Sequence, residues 1–430
     1  MNNIKPRFSA LLPLIFFFTL YICTWLLTGD LSNMPISVAF LLTIIIAFFT
    51  FRGHSMTERV EVFCKGAAND TILLMVLIFI LAGAFAGTAR AMGAVDATVN
   101  MALTLLPSSL IIASIFIAAC FVSMAMGTST GTIAALAPIA IGLAHQTGYS
   151  LPFVLGVVVG GAMFGDSLSF ISDTTIVATR TQGCELKDKF RVNIRILYPI
   201  TILLILIYVY IGWGSKADII IGEVEWIKVL PYCVVLVAAI AGMNVIAVLV
   251  LGTLLSGIIG IYTDSLTIWG WAKAAQNSIV FDMGELIIVS LMAGGLFEII
   301  RQNGGVDWLI NKLTRNITSK RKAEASVAAL VSITDMCTAN NTVALIITGP
   351  IAKNIGDRFN IDNRRMASLI DTFSCSVQGF LPYGAQLLIA SSLAGVAPVS
   401  VLPYLYYPVL MGLASILAII LQRPRKYTQN

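Results

Sequence analysis

The chain has 430 residues, of which 58% are hydrophobic and only 11% charged, and its formal net charge is +5. Ordinary soluble domains carry about 25% charged residues, so this composition excludes a typical soluble protein. The positive charge comes without a basic face or a nucleic-acid motif, so we expect no nucleic-acid partner and assign the charge to cytoplasmic loops of a membrane protein.

Apolar stretches predict an all-α protein embedded in the lipid bilayer, in which a span needs about 20 residues. Eight candidate spans lie at 9–28, 34–51, 71–90, 196–213, 227–242, 244–262, 284–301 and 402–421. The stretches 150–178 and 366–390 are interrupted by polar residues, which predicts two broken helices. The stretches 107–146 and 323–356 have a polar break between apolar arms, which predicts two re-entrant hairpins. The prediction is therefore about ten transmembrane helices plus two re-entrant helical hairpins.

Positively charged loops orient these elements, because cytoplasmic loops are rich in lysine and arginine. Segment 52–68 holds three such residues, segment 180–195 holds five, and the tail after position 422 holds three. All three segments are therefore predicted to be cytoplasmic. We expect a multi-pass protein of the bacterial cytoplasmic (inner) membrane with cytoplasmic N- and C-termini.

The two halves of the chain resemble each other weakly. Segment 81–100 matches 292–311 at glycine, valine and aspartate positions about 211 residues apart. Positive charge switches sides between matching loops: 180–195 carries five lysines and arginines, whereas 391–403 carries none. Such switching indicates two repeats of inverted topology.

Each repeat then contains five spans and one hairpin. The predicted repeats are 1–213 and 222–430, joined on the outer side by the polar loop 212–226.

Polar residues gather at the breaks of the two hairpins, at 127–132 and 338–342. Hydroxyl, amide and unwound carbonyl oxygens suit Na⁺, and helix N-termini at such a break favour an anion. The alternative is that these hydroxyls hydrogen-bond back to their own helices. The predicted Na⁺ or substrate ligands in the hairpins are Thr128, Ser129, Thr130, Asn340, Asn341 and Thr342.

The first broken helix carries Asp166 and Asp173, which lie seven residues apart on one helix face. A carboxylate at the bilayer centre costs about 2.5–3.5 kcal/mol on insertion scales, so each is a functional candidate. No lysine or arginine lies between Arg90 and Arg180 to pair with them locally. We predict that both bind an ion or a proton. The predicted neighbouring ligands are Ser169, Ser172 and Thr174.

The second broken helix carries Asp371, and Asp335 lies just before the second hairpin break. Both are predicted to bind an ion or a proton, with Ser374 and Gln378 as further ligands. Glycine and proline unwind helices. The predicted hinge or break positions of both halves are Gly127, Gly131, Gly165, Gly379 and Pro382.

The segment 165–175 resembles the G-D-x-x-S-P-x-S-D-T-T signature of the NhaC-type sodium/proton antiporter family, within the wider ion-transporter superfamily. The similarity runs from about 70 to 400 and outside the motif consists mainly of hydropathy. The resemblance implies a secondary transporter of the cytoplasmic membrane that exchanges or cotransports Na⁺. Known substrates in the family and its relatives include protons, organic acids and amino acids.

This sequence departs from the family pattern at several positions. Phe170 replaces the usual proline, Ser167 replaces a frequent lysine, and 381–384 resembles a proline-tryptophan-asparagine element only loosely. The departures leave ion-coupled transport as the expected class and leave the exchange partner open.

Two functions are carried forward from the sequence. The first is Na⁺/H⁺ antiport by alternating access. The alternative is Na⁺-coupled transport of an amino acid or a small organic acid, which the amides at 340, 341 and 378 favour. No catalytic or nucleotide-binding motif points to an enzyme or a primary pump. We expect no cofactor besides the coupling ions Na⁺ and H⁺, and a homodimer remains an open alternative.

Overall fold

The structure, a computed structural model, describes residues 6–28, 33–51, 53–105, 107–169, 172–213, 223–241, 243–315, 317–424 and 427. These residues form α-helices and short helical turns. The helices of the first half are α1 (Leu12–Thr28), α2 (Ile36–Thr50), α3 (Met56–Ala67), α4 (Asp70–Ala91), α5 (Ala94–Leu105), α6 (Ile111–Met126), α7 (Ser129–Thr147), α8 (Leu151–Leu168), α9 (Asp173–Gln182) and α10 (Leu186–Trp213).

Most of the loop predicted to join the two halves, positions 214–222, lies outside the described residues. The helices of the second half are α11 (Trp226–Ile240), α12 (Val245–Tyr262), α13 (Ile268–Asn277), α14 (Gly284–Gln302), α15 (Gly305–Thr314), α16 (Lys320–Thr338), α17 (Asn341–Arg358), α18 (Asn363–Gln378), α19 (Ala385–Ala394), α20 (Pro398–Val401) and α21 (Tyr406–Ile420).

Several helices are long and apolar enough to cross a membrane. Within the described part of the chain, five pass by length and composition: Phe8–Thr28, Ile72–Ala91, Leu151–Gln182, Leu186–Trp213 and Val245–Tyr262. The number rises to seven if each of two bent helix pairs is counted as one span. Shorter apolar helices, among them α2, α11 and α21, lie at other predicted spans. The all-helical membrane fold is confirmed, and the count of ten spans stays a prediction.

One predicted boundary is wrong in a way that matters for the site. Helix α10 begins at Leu186, ten residues before the predicted span at 196. Lys189, which the sequence analysis counted among the cytoplasmic loop charges, therefore lies inside a helix and is only 1% exposed. Arg365 is likewise buried within α18. Both helices begin with turns that contain several charged residues. In the sequence alone, such turns cannot be told from a charged loop.

Helix beginnings recur along the chain at a constant spacing of 212 residues. Helices α3, α7, α8, α9 and α10 of the first half each have a counterpart: α13, α17, α18, α19 and α20. For example, α7 begins at Ser129 and α17 at Asn341, and the difference between 341 and 129 is 212. The two predicted hairpins are α6 with α7 and α16 with α17.

The hairpins and broken helices pack against one another at the centre of the molecule. Helix α6 packs along α8, α16 packs along α18, and the short helices α9 and α19 contact α17 and α7 of the opposite half. Gly165 permits the closest of these approaches, because a Cβ atom there would lie 2.4 Å from the carbonyl oxygen of Cys120. This packing brings the polar breaks of both halves together.

Candidate ion-binding site

A small central cavity of about 80 Å³ is lined by polar residues from both halves. Four helices begin at its wall, since Ser129, Asp173, Asn341 and Ala385 are the first residues of α7, α9, α17 and α19. A helix N-terminus carries roughly half a positive charge from its unpaired amide groups. The wall of the cavity is therefore favourable for carboxylates, whether they belong to the protein or to a ligand.

The two hairpin tips share one backbone geometry. Gly127 ends α6 with a φ of 69°, and Ala339 ends α16 with a φ of 50°. Each is followed by an extended residue that caps the next helix: Thr128 accepts a hydrogen bond from the amide of Gly131, and Asn340 accepts one from Val343. The left-handed conformation suits glycine and is unfavourable for alanine, so the second tip is the more strained of the two.

Asp166 is the buried carboxylate of this cavity, with 4% of its surface exposed. One oxygen accepts a hydrogen bond of 2.7 Å from Ser129, and the other accepts a short hydrogen bond from Ser172. The Ser172 hydroxyl also lies 2.9 Å from that of Thr174. In the part of the chain that the structure describes, no lysine or arginine forms an ion pair with Asp166. The carboxylate is thus held by neutral groups alone.

Asp173 also lines the cavity but is exposed, so it lies at the mouth of the cavity. It begins α9 directly after the break in the first broken helix. Positions 170 and 171 of that break lie outside the described residues, and position 170 is the one at which phenylalanine replaces the signature proline.

Gln386, which the sequence analysis did not single out, connects the two halves across the cavity. Its amide nitrogen donates to Ser129 over 3.0 Å, and its oxygen accepts from Gln378 over 2.8 Å. Gln378 also donates to the carbonyl oxygen of Ala339 at the second hairpin tip. Gln386 lies 212 residues after Thr174, the same spacing that separates the helix beginnings, so a position-by-position comparison of the two halves contains a signal for it.

Twelve of the residues predicted from the sequence line this cavity. They are Gly127, Thr128, Ser129, Thr130, Asp166, Ser172, Asp173, Thr174, Asn340, Asn341, Thr342 and Gln378. The structure thus brings both hairpin tips and both broken helices to one place.

Other predicted residues lie away from the cavity wall. Ser169 donates to the carbonyl oxygen of Met124, and Ser374 donates to that of Asn341. Gly131 and Gly165 lie within α7 and α8 rather than at a break.

In the second broken helix, α18 ends at Gln378. The turn that includes Gly379 and Pro382 separates it from α19.

Asp371 forms an ion pair that the sequence analysis missed. Its Oδ1 lies 2.9 Å from Nζ of Lys189, and its Oδ2 accepts a hydrogen bond of 2.9 Å from Asn193. The sequence analysis considered only local partners, between Arg90 and Arg180, and Lys189 lies outside that range. Lys189 also donates to the carbonyl oxygen of Ser167, the position at which the family often has a lysine. A lysine from α10 thus reaches the place where the signature lysine is absent.

Asp335 is another buried carboxylate and is fully enclosed. Neither of its side-chain oxygens has a hydrogen-bond partner among the described residues. Ionising an isolated carboxyl group in an apolar environment is strongly unfavourable, so this environment favours the protonated form. Asp335 lies outside the lining of the central cavity.

Two larger cavities lie at the far ends of the short helices. One of about 940 Å³ surrounds the end of α9 and is lined by Cys184, Asp188, Asp362 and Arg364 among others. The other, of about 250 Å³, lies at the end of α19 beside Ser392. Burial alone would raise the pKa of Asp362, but hydrogen bonds from Arg364 outweigh burial and lower the pKa. Burial raises the pKa of the Cys184 thiol to about 11.

Comparison with known proteins supplies the family. The sequence model of the Na⁺/H⁺ antiporter family matches residues 7–213 and 216–422. The malate-2H⁺/Na⁺-lactate antiporter of Bacillus subtilis is 25% identical, and the alignment covers 89% of each chain. The Na⁺/H⁺ antiporter NhaC of the same organism is 24% identical over 80% of this chain and 83% of that protein. The arginine/ornithine antiporter ArcD of Halobacterium salinarum is 21% identical over 94% of this chain and 90% of that protein.

These matches confirm the family resemblance that the aspartate-containing motif indicated. The family is one of transporters, for which Na⁺ and H⁺ are the cargo. The match covers nearly the whole chain, and the apolar helices agree with it. The chain therefore belongs to the Na⁺/H⁺ antiporter family of multi-pass membrane transporters.

Proposed function

We propose that the protein exchanges Na⁺ for H⁺, with Asp166 as the carboxylate that binds the two cations in turn. The observation that carries this proposal is the setting of Asp166: it is buried, lines the cavity and has only hydroxyl partners. A lone buried carboxylate is stabilised either by a proton or by a cation that brings compensating charge. Competition of H⁺ and Na⁺ for one group yields exchange.

The size of the cavity supports an inorganic cation as cargo. Its volume of about 80 Å³ is well below the ~300–1,000 Å³ of pockets that hold small organic ligands. Oxygen atoms suited to Na⁺ surround it, because hydroxyl and amide side chains of both hairpin tips line the wall. The proposed Na⁺ ligands are Asp166, Thr128, Ser129, Thr130, Ser172, Thr174, Asn340, Asn341, Thr342 and Gln378, with Asp173 at the mouth of the cavity.

Alternating access is proposed to arise from movement of one repeat, 1–213, against the other, 222–430. The constant spacing of helix beginnings supports the repeat, as do the two family matches of equal length at 7–213 and 216–422. The exchange of loop charges between the halves supports opposite orientation in the membrane. The two cavities at the far ends of α9 and α19 suit access from opposite sides.

The location in the membrane is proposed from the loop charges. The proposed location is the cytoplasmic membrane, and under the positive-inside rule both termini lie in the cytoplasm, although residues 1–5 and 428–430 lie outside the described part. The 940 Å³ cavity then faces the cytoplasm, because the basic segment 180–195 adjoins it. Assembly as a homodimer is retained as a proposal.

The decisive experiment measures exchange by the full-length protein in proteoliposomes. A trapped pH-sensitive dye reports proton movement when a Na⁺ gradient is applied. We expect Asp166→Asn to abolish the dye response and the exposed control Asp96→Asn to retain it. An unchanged response in Asp166→Asn would refute the role of Asp166, and no response in the wild-type protein would refute Na⁺/H⁺ exchange.

A second candidate is Na⁺-coupled transport of a small carboxylate. The four helix N-termini at the cavity favour it, because their partial positive charges suit an anionic group. Two relatives carry names that include lactate, malate or amino acids. Uptake of labelled lactate, malate and arginine under a Na⁺ gradient tests this candidate. Saturable uptake that depends on Na⁺ would favour it over simple Na⁺/H⁺ exchange.

A further inference from the structure

Lys189 and Asp371 form an ion pair that is almost completely enclosed. Lys189 is 1% exposed and Asp371 is 0% exposed, and 2.9 Å separates Nζ from Oδ1. Removing two charges from water is unfavourable, and their attraction offsets that loss only when further hydrogen bonds satisfy both groups. An enclosed pair beside a transport site therefore calls for an explanation besides stability.

The hydrogen bonds of Lys189 tie together the two arms of the first broken helix. Its ammonium donates over 2.8 Å to the carbonyl oxygen of Ser167, in the last turn of α8, and makes a short hydrogen bond to Thr175, in the first turn of α9. Asn193, one turn further along α10, donates to the same Ser167 oxygen and to Asp371. Lys189 thus spans the break that separates Asp166 from Asp173 and joins it to α18.

The pair also sets the charge at the cavity. Asp166 and Asp371 are both buried, and Lys189 compensates Asp371 directly. Both Lys189 and Asp371 interact electrostatically with Asp166. With the pair intact, one buried negative charge remains for a transported cation to meet, on Asp166, while Asp173 lies exposed at the mouth of the cavity.

We infer that Lys189 is the positioning residue of the cation site. It neutralises Asp371 and holds together the two arms of the first broken helix. One buried negative charge then remains at the cavity, on Asp166. Asp371 then acts as the counter-ion of Lys189 and does not bind the transported cation. This inference rests on the proposed exchange at Asp166 and adds which charges surround that site.

The inference predicts opposite effects of the two single substitutions on Na⁺ affinity. In Lys189→Met, Asp371 loses its counter-ion but keeps the hydrogen bond from Asn193, which favours its charged form; while it stays ionised, it adds negative charge, so the KM for Na⁺ falls and Na⁺ release slows. In Asp371→Asn, Lys189 keeps its hydrogen bonds to Ser167 and Thr175; while it stays protonated, it repels the cation, so the KM rises. The KM of both variants is therefore measured over a series of pH values, which identifies the range in which each group keeps its charge. At an effective dielectric constant of about 20, a unit charge several ångströms away changes the affinity by roughly tenfold or more.

The test is a double-mutant cycle on the full-length protein in proteoliposomes, with ²²Na⁺ binding to the purified protein as a second readout. The double variant Lys189→Met with Asp371→Asn removes both charges and is expected to return the KM for Na⁺ to within about threefold of wild type. The matched control is the buried pair of Arg365 and Glu324, whose 3.0 Å contact lies away from the cavity. Its double variant, Arg365→Met with Glu324→Gln, is expected to leave the KM unchanged.

The outcomes separate this inference from the proposed function. Shifts of the KM in the same direction for both single variants, or a double variant as impaired as Asp371→Asn, would overturn the role of Lys189. If a single variant elutes as aggregate in size-exclusion chromatography, the double variant and its ²²Na⁺ affinity decide the question. Failure of the wild-type protein to exchange Na⁺ for H⁺ would instead count against the proposed function, and ²²Na⁺ binding would still report on the charge pair.

Discussion

Asp166 and Gln378 hold equivalent positions in the two broken helices. Each lies seven residues before the first residue of the short helix that follows, Asp173 in one half and Ala385 in the other. Both are buried and both line the central cavity. The two broken helices therefore share one spacing at the site, but one carries a carboxylate and the other an amide.

The first prediction uses this correspondence to move the carboxylate. We expect Asp166→Asn to be inactive and Gln378→Glu to restore measurable Na⁺-driven proton flux to it, because the second substitution returns one carboxylate to the same cavity. Asn341 corresponds to Ser129, and its amide nitrogen has no hydrogen-bond partner in the described structure. This nitrogen can donate to the new carboxylate at position 378. The dye assay in proteoliposomes measures the recovery. Gln378→Ala on the same background is the matched control and should stay inactive.

A folded double variant without any recovered flux would show that the two sides of the cavity are not interchangeable. Folding is checked by a single symmetric peak in size-exclusion chromatography. Partial recovery is the expected result, since the hydroxyl partners of Asp166 are not duplicated around Gln378.

The second prediction concerns the hydroxyl groups that hold Asp166. Ser129→Ala and Ser172→Ala each remove one hydrogen bond to the carboxylate. Hydrogen bonds to charged groups contribute about 1.5–3 kcal/mol, so we expect the KM for Na⁺ to rise by roughly ten- to a hundredfold. Ser123→Ala is the control, because that buried hydroxyl donates to the carbonyl oxygen of Ala162 and lies outside the cavity wall. Equal effects of all three substitutions would contradict a special role for the pair around Asp166.

The breaks and most cavity residues were predictable from the sequence because of where polar groups occur. Glycine, hydroxyl and amide residues inside apolar stretches mark interrupted helices, and this signal found both hairpin tips and Asp166. Lys189 was not found, because a charged first turn of a helix looks like a charged loop. Gln386 was not found, because a single amide after a break has no local signal. Partners across the site depend on tertiary packing, which the sequence of either half does not contain.

The third prediction separates proton carriage from Na⁺ binding. Asp335 is enclosed without hydrogen-bond partners in the described structure and lies away from the cavity wall. We propose that it carries a proton of its own. Asp335→Asn is therefore expected to leave the KM for Na⁺ unchanged and to lower the number of protons exchanged per Na⁺. Parallel measurement of ²²Na⁺ uptake and dye response gives this ratio, and an unchanged ratio would exclude Asp335 as a carrier.

The fourth prediction concerns the packing that holds the site together. In Gly165→Ala, the added methyl group would lie 2.4 Å from the carbonyl oxygen of Cys120, so α6 and α8 have to separate. Overpacking of this kind destabilises by about 1–3 kcal/mol, and we expect a lower Tm and reduced transport. Gly284→Ala is the control, since nothing lies within 4 Å of a Cβ atom there. Thermal unfolding in detergent measures both, and an unchanged Tm for Gly165→Ala would contradict the observed close approach.

The fifth prediction concerns the large cavity at the end of α9, where Cys184 is half-buried. Burial raises the pKa of its thiol to about 11. Because the thiolate is the reactive form, labelling with a maleimide should be slow at pH 7 and should accelerate about tenfold per pH unit toward that pKa.

The protein for this measurement carries Cys184 alone, with the other six cysteines replaced by alanine or serine. A membrane-impermeant maleimide should label Cys184 only from the cytoplasmic side, because the basic segment 180–195 adjoins this cavity. In right-side-out vesicles the label then reacts only after permeabilisation. Labelling of intact right-side-out vesicles would reverse the proposed orientation, and rapid labelling at pH 7 would contradict the partial burial of the thiol.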